Sequence, residues 1–342
     1  MPLGWIYGKI ADIRNAKFDR GKLPTRELGV RTISIGNITA GGTGKTPLVI
    51  LTCQLLAARG KRVCVLTRGY GRKDVKTRVV VSNGKKLLSD TLNAGDEPVE
   101  IAKRLLGKAV VVADADRVAA AEWARGEYGV TSFVLDDGFQ HRYAKRDVDI
   151  VCIDALDPFG RGKMLPFGRL REPLHNLKRA DAIVITRSDL GGDIAVIKAK
   201  IREHNPDCPI FTARTKAADL QLIDRFLVDG AQGTAATDID FRSLAHAKAF
   251  AFCGIGKPAA FFEQLRHDNY QMAGTYSFAD HYVYSQDDAN AIDAKALAAG
   301  AGFLLTTPKD GVKLAALKFS IPCFVVISEL VLEDRDSFAA LL

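Results

Sequence analysis

The stretch Thr32-Ile33-Ser34-Ile35-Gly36-Asn37-Ile38-Thr39-Ala40-Gly41-Gly42-Thr43-Gly44-Lys45-Thr46 decides the fold. Thr32–Ile35 reads as a short apolar strand, the glycine-rich run as a loop, and a helix follows from Lys45. Strand, glycine-rich loop and helix in that order form the context in which a Walker A phosphate-binding motif works. Glycines let successive backbone N–H groups turn inward around phosphate oxygens, and the start of the helix adds a partial positive charge. Lys45 can reach the outer phosphates and the Thr46 hydroxyl can ligate Mg²⁺. The expected cradle is Thr39, Ala40, Gly41, Gly42, Thr43, Gly44, Lys45 and Thr46, holding a nucleoside triphosphate. One position departs from the GxxxxGK[ST] pattern, which calls for glycine where Thr39 stands. Ala40 occupies the place where dimeric partitioning ATPases carry an extra lysine, which argues against that class.

A second segment supplies the acid such a loop needs. Ser132-Phe133-Val134-Leu135 is an apolar run ending in Asp136-Asp137-Gly138. A carboxylate at a strand tip beside the loop completes the metal shell. Neighbouring side chains on a strand face opposite ways, so one of Asp136 and Asp137 is expected at the metal unless the strand has already ended.

Working outward, apolar β-branched runs alternate with helical stretches along the chain. Among the runs are Arg62–Leu66, Val110–Ala113, Asp149–Ile153, Ala182–Thr186, Ile210–Ala213, Ala249–Phe252, Phe303–Thr306 and Cys323–Ile327. Several are apolar throughout, the pattern of strands buried on both faces. The expected class is α/β: a P-loop NTPase-type, mostly parallel sheet with helices on both faces, plus a second, smaller α/β domain. The stretch from Asp224 to Asp240, broken by Gly230 and Gly233, suggests the division: residues 1–217 and residues 218–342.

The 342 residues are 47% hydrophobic and 26% charged, which excludes disordered and low-complexity classes. Net charge is +8, from 48 Lys and Arg against 40 Asp and Glu, and favours an anionic partner. No recognisable nucleic-acid signature accompanies that charge, so nucleic acid is not expected. The six cysteines are scattered without CxxC spacing and read as buried thiols in a reducing compartment, not as a zinc site. The first residues lack the layout of a secretory signal, and no apolar run is long enough to span a bilayer.

Further short motifs fit one ordered set. They are Thr67-Arg68-Gly69-Tyr70-Gly71-Arg72, Ala94-Gly95-Asp96-Glu97-Pro98, Leu135-Asp136-Asp137-Gly138-Phe139-Gln140-His141, Leu170-Arg171-Glu172-Pro173, Phe278-Ala279-Asp280-His281, and Thr307-Pro308-Lys309-Asp310-Gly311-Val312-Lys313. With the loop from Gly36 to Pro47, this set resembles the tetraacyldisaccharide 4′-kinase family, the lipid A 4′-kinases of Gram-negative bacteria, from about Pro2 to Lys313. That family's loop carries the same departure at the position of Thr39.

The resemblance implies an ATP- and Mg²⁺-dependent kinase that phosphorylates the 4′-hydroxyl of a tetraacylated disaccharide 1-phosphate at the cytoplasmic face of the inner membrane. It implies Asp96 as catalytic base and His281 as its partner, with Lys45 at the transferred phosphate. Read alone, Asp96 after Gly95 is first of all a helix cap, the usual role of a carboxylate at a helix start. The two residues come from different expected domains, so their pairing would close a cleft around substrate. Glu97 and Gln140 are candidates to position metal or water. Gln140 joins Arg68, Arg72 and Arg171 as a candidate substrate contact, since guanidinium forks grip phosphate in two places.

At the N-terminus, Leu3, Ile6, Ile10 and Ile13 recur at helical spacing beside Trp5 and Tyr7, with Lys9, Arg14, Lys17 and Arg20 nearby. An interfacial helix has this composition, and the expected partner surface is an anionic membrane. Two other readings compete. Thr186-Arg187-Ser188-Asp189 resembles a guanine-reading motif with Arg for Lys, which would suit a GTP-binding switch. An ATP-dependent ligase would use the same loop to phosphorylate a carboxylate.

Overall fold

The structure is a computed structural model that describes residues 2–227, 247–314 and 316–342. Most of the glycine-broken stretch expected to divide the chain lies outside those residues.

The strands are β1 (Arg31–Asn37), β2 (Val63–Thr67), β3 (Val79–Ser82), β4 (Ala109–Ala113), β5 (Ser132–Asp136), β6 (Val148–Asp154), β7 (Ala182–Thr186), β8 (Ile210–Leu222), β9 (Lys248–Cys253), β10 (Met272–Ser277), β11 (Ala301–Thr306) and β12 (Cys323–Leu332). The helices are α1 (Pro2–Asp19), α2 (Lys45–Ala58), α3 (Thr91–Ala94), α4 (Asp96–Arg104), α5 (Arg117–Tyr128), α6 (Ile194–Arg202), α7 (Ile223–Leu227), α8 (Pro258–His267), α9 (Gln286–Ala298), α10 (Pro308–Gly311) and α11 (Arg335–Leu341).

All twelve strands join one sheet in the order β10-β9-β11-β12-β8-β7-β6-β1-β5-β2-β4-β3. Pairing is parallel except at β3–β4 and at β8–β12. The phosphate-loop strand β1 lies between β6 and the acid-bearing β5, with Ile35 opposite both Asp136 and Ile150. The expected division at residue 217 falls inside β8, where Ala217 pairs with Ser328. Both β8 and β12 run past their apolar cores, because each is the other's antiparallel partner over most of its length.

Alternate residues of each central strand feed cores on opposite faces. Val65 and Val134 pack on one face with α2 and α4, while Leu66 and Leu135 pack on the other with α5. Both sets are fully buried, which accounts for the unbroken apolar strands. The α2-side core continues through Phe211 and Val325 to Phe252 and Leu304, and α8 covers the other face of the second half. All six cysteines are free and buried.

Helix α1 docks by its polar side. Asn15 donates to Glu172 at 2.8 Å, His175 meets Asp12 at 2.9 Å, and Arg142 meets Asp19 at 2.6 Å. Its apolar side chains Leu3, Trp5, Ile10 and Ile13 stay more than half exposed. No helix among the described residues is long and apolar enough to cross a membrane.

Candidate active site

The C-terminal ends of the parallel strands open into a cleft of about 710 Å³. In open α/β sheets ligands bind at that edge. The loop after β1 forms its floor. Gly44 holds the left-handed conformation (φ 76°, ψ 19°) that turns the loop into α2, and a side chain there would press on Thr186. Donors outside the loop hold its carbonyls: Arg169 Nε reaches Ala40 at 3.0 Å, Arg187 Nη1 reaches Gly42 at 3.2 Å, and Thr186 Oγ1 reaches Thr43 at 2.8 Å. The Asn37 amide donates to the Thr43 hydroxyl at 2.9 Å. Carbonyls tied outward are what an anion nest of inward N–H groups requires.

Strand β5 ends at Asp136, and Asp137 takes a left-handed φ of 52°. The strand has therefore ended before Asp137, and both carboxylates line the cleft. Their environments differ. Arg171 forks Asp137 with contacts of 2.8 and 2.9 Å, and Lys45 Nζ lies 3.4 Å away. Burial opposes ionisation of Asp137, yet Lys45 and Arg171 outweigh it and hold the carboxyl well below the usual range. Among the described residues, Asp136 accepts a side-chain hydrogen bond from the Thr67 hydroxyl alone, at 2.9 Å. Burial, with Glu97 and Asp137 nearby, pushes it up to about 6.

The oxygen donors Thr46, Asp136, Asp137 and Glu97 suit Mg²⁺, and the raised pKa of Asp136 marks a position where a cation would relieve crowded negative charge. No group of three or more His, Cys, Asp or Glu among the described residues forms a metal cage by itself. Mg²⁺ commonly relies on one or two carboxylates plus substrate phosphates, so this set fits it.

Facing the loop, Asp96 begins α4 directly after Gly95, whose φ of 93° brings its backbone against Tyr70. Asp96 is buried, and His281 Nδ1 lies 3.1 and 3.0 Å from its two oxygens. His281 stands in the cleft wall with a left-handed φ of 61°, an uncommon conformation for a residue with a side chain. Lys309 and Lys313 each lie 3.9 Å from Asp96. Burial pushes the Asp96 carboxyl up, but the His281 hydrogen bond and Lys309 outweigh it and lower it. The same hydrogen bond raises His281.

Of the residues expected from sequence, the whole loop from Thr39 to Thr46, Arg68, Glu97, Asp136, Asp137, Arg171 and His281 line the cleft, with Asp96 against His281. Arg72 and Gln140 do not. The Arg72 guanidinium is buried and donates to the carbonyls of Val75, Thr77 and Ala113 at 2.7 to 2.9 Å. Gln140 bridges the Asn37 carbonyl and Glu172 at 2.8 and 2.7 Å. These two residues tie neighbouring backbone segments together and do not line the cleft.

The cleft also holds residues outside the candidate site set read from the sequence. Lys257 and Arg187 both pair with Asp154 at the end of β6. Lys309 lies 3.6 Å from Glu97 and 2.9 Å from Asp280. Buried Glu100 is pushed up to about 7. A glycine followed by lysine at a helix start (Gly256-Lys257-Pro258) was the one available signal for Lys257.

A cradle for a triphosphate tail, faced by a carboxylate–imidazole pair that can take a proton, defines a P-loop kinase. The tetraacyldisaccharide-1-P 4′-kinase family model matches residues 1–342, and the chain belongs to that family. A tetraacyldisaccharide 4′-kinase of Geobacter metallireducens is 38% identical over 90% of this chain and 86% of its own length. One from Anaeromyxobacter is 37% identical over 96% and 86%. A crystal structure of LpxK from Aquifex aeolicus in complex with ATP superposes with a TM-score of 0.77 at 32% identity, covering 99% of this chain and 96% of that one. The switch and ligase readings find no support in these relatives.

Proposed function

We propose that the protein transfers the γ-phosphoryl group of ATP to the 4′-hydroxyl of a tetraacylated disaccharide 1-phosphate, with the Asp96–His281 pair receiving the hydroxyl proton. The observation that carries this reading is that pair: two side chains 185 positions apart in the chain, meeting at 3.0 Å across the cleft from the phosphate loop. The loop amides from Gly41 to Thr46 bind and orient the phosphates, and Lys45 offsets charge that develops on the transferred group. Thr46, Asp136 and Glu97 would hold Mg²⁺, which when bound neutralises phosphate oxygens; Asp137 keeps Lys45 and Arg171 in place. Asp96, kept ionised by His281 and Lys309, is oriented as the base, and His281 carries the proton toward the cleft mouth. Arg68 is left for the substrate's phosphate.

The acceptor is a lipid, and α1 fits its location. Its exposed Leu3, Trp5, Ile10 and Ile13 lie beside the cleft that Tyr7 enters, which suits peripheral attachment to the cytoplasmic face of the inner membrane. Residues 1–217 and 218–342 act in this reading as two units that close on substrate about the β8–β12 pairing.

The test is transfer of radiolabelled phosphate from ATP to the acylated disaccharide 1-phosphate, with simple sugars as controls. Label at the 4′-position of the lipid, abolished in Lys45→Ala, is expected. Label on free sugars but none on the lipid would refute the acceptor, and unchanged transfer by Lys45→Ala would refute the cradle.

A further inference from the structure

The carboxylate of Asp310 has no part in the site described so far. It stands on the short helix α10, is fully buried, and does not line the cleft. Its oxygens are nonetheless ringed by donors. Oδ2 accepts from the Gly254 N–H at 3.0 Å and from the Thr307 hydroxyl at 2.7 Å. Oδ1 accepts from the Tyr284 hydroxyl at 2.9 Å and lies 2.9 Å from Lys313 Nζ. Burial and the Asp310 charge push the Tyr284 hydroxyl well above its usual range, so it stays protonated and donates. A buried charge with its donors in place is held rigidly, because any displacement leaves it unpaired in a poorly polarisable interior.

Three of these donors lead to the proton-accepting pair. Gly254 follows β9, and its carbonyl accepts from the His281 N–H at 3.3 Å. It packs hard against the turn that carries His281: a side chain at Gly254 would stand 3.0 Å from the Ala279 carbonyl and from Tyr284 Oη. Tyr284 closes the far side of the same turn. His281 itself has a left-handed φ of 61°, which a residue with a side chain keeps only where its surroundings enforce it. Lys313 leads the other way, to Asp96 Oδ2 at 3.9 Å. Helix α10 thus touches both members of the pair from behind, one through Gly254 and Tyr284 and the other through Lys313.

We propose that Asp310 is a positioning residue for phosphoryl transfer. Through Gly254 and Tyr284 it fixes the turn that presents His281, and through Lys313 it places the cation that faces Asp96. The inference rests on the reading of Asp96 and His281 as the proton-accepting pair, and it names the group that holds the two in register. The need is physical: the pair comes from distant segments, and a hydrogen bond between them survives only small errors of distance and angle.

The test is steady-state transfer of phosphate from ATP to the lipid acceptor by wild type, Asp310→Asn and Tyr284→Phe, with each substitution also made in His281→Ala. Asp310→Asn is expected to lower kcat about tenfold or more, as for a misplaced reacting group. Tyr284→Phe removes one hydroxyl, keeps the ring against Phe278 and Tyr282, and is expected to lower kcat severalfold. The KM for ATP should stay within about twofold in both, since the loss falls on the chemical step. In the His281→Ala background neither substitution should lower kcat further, whereas a general loosening of the fold would lower it by the same factor as before. Unchanged kcat in folded Asp310→Asn or in Tyr284→Phe, or equal losses with and without His281, overturns the positioning role and leaves the kinase reading standing. Wild-type turnover by His281→Ala itself overturns the pair and the positioning role together. Tyr284→Phe decides the matter where Asp310→Asn fails to fold.

Discussion

Arg171 holds Asp137 by both oxygens, at 2.8 and 2.9 Å, and so fixes the carboxylate that in turn lies 3.4 Å from Lys45. Arg171→Ala leaves Asp137 with Lys45 alone, drawing the ammonium off the phosphates. A loss of about tenfold in kcat/KM for ATP is expected, as for one charge-assisted contact. Arg171→Lys should recover only part of it, because an ammonium cannot fork a carboxylate. Full recovery by lysine would show that charge alone suffices.

Asp96 and His281 act as a unit, so their losses should not add. Asp96→Ala and His281→Ala are each expected to lower kcat by about 100-fold or more, and the double variant scarcely further. Nucleotide affinity should persist in all three. Lost ATP binding in Asp96→Ala, with partial unfolding, would indicate a helix cap instead.

The same pair couples stability to pH. Asp96 is lowered in the folded chain, so its contribution is present above its unfolded pKa of about 3.9 and is lost as pH falls through the folded value. His281 is raised, so its contribution is full below its unfolded pKa of about 6.5 and is lost as pH rises through the folded value. The Tm difference between wild type and His281→Ala should peak between about pH 4 and 6.5 and shrink toward pH 9. A difference that grows with pH would contradict the pairing.

Asp136 must be ionised to ligate Mg²⁺, and burial pushes it up to about 6. The Mg²⁺ concentration needed for half-maximal turnover should rise several-fold between pH 7.5 and 5.5. In Asp136→Asn that pH dependence should largely vanish, at much lower activity. A wild-type requirement independent of pH would place the metal elsewhere.

Arg72 is expected to matter for stability and not for substrate. Its guanidinium satisfies three backbone carbonyls, those of Val75, Thr77 and Ala113. Arg72→Ala should cost about 2–3 kcal/mol by urea denaturation while leaving the KM for lipid near normal. A raised KM with unchanged stability would restore the phosphate-contact role expected from the sequence.

The exposed face of α1 can be charged without touching the core, since Trp5 and Ile10 are 66% and 61% exposed. Trp5→Glu with Ile10→Glu should reduce co-sedimentation with anionic vesicles severalfold while leaving Tm within a degree or two. Undiminished sedimentation would mean that α1 serves only to dock on the fold.

Local features were legible in the chain. The phosphate loop, the acidic tip of β5 and the unbroken apolar strands each carry their signal within a dozen residues, because amide direction, helix start and two-sided burial are properties of short segments. The family motifs extended this to Asp96 and His281 and to their pairing, and the two side chains meet at 3.0 Å. The length of β8 was illegible: beyond Ala213 polar and charged residues interrupt its apolar ones, and the late strand β12 gives it a partner. The short strand β10 went unseen because its mixed, half-exposed residues carry no apolar run, and it pairs at the edge of the sheet with β9. Arg72 misled because an arginine in a glycine-rich loop has the same sequence whether it meets a phosphate or three carbonyls.

By itself, then, the chain determined the phosphate cradle, the α/β alternation and the family to which it belongs. Tertiary structure alone decided that Arg171 rather than solvent neutralises Asp137, and that the halves share one sheet through β8 and β12. The reason is range. A loop's amides are set by neighbouring φ and ψ, whereas a contact between segments distant in the chain depends on strand order and register, which no local stretch encodes.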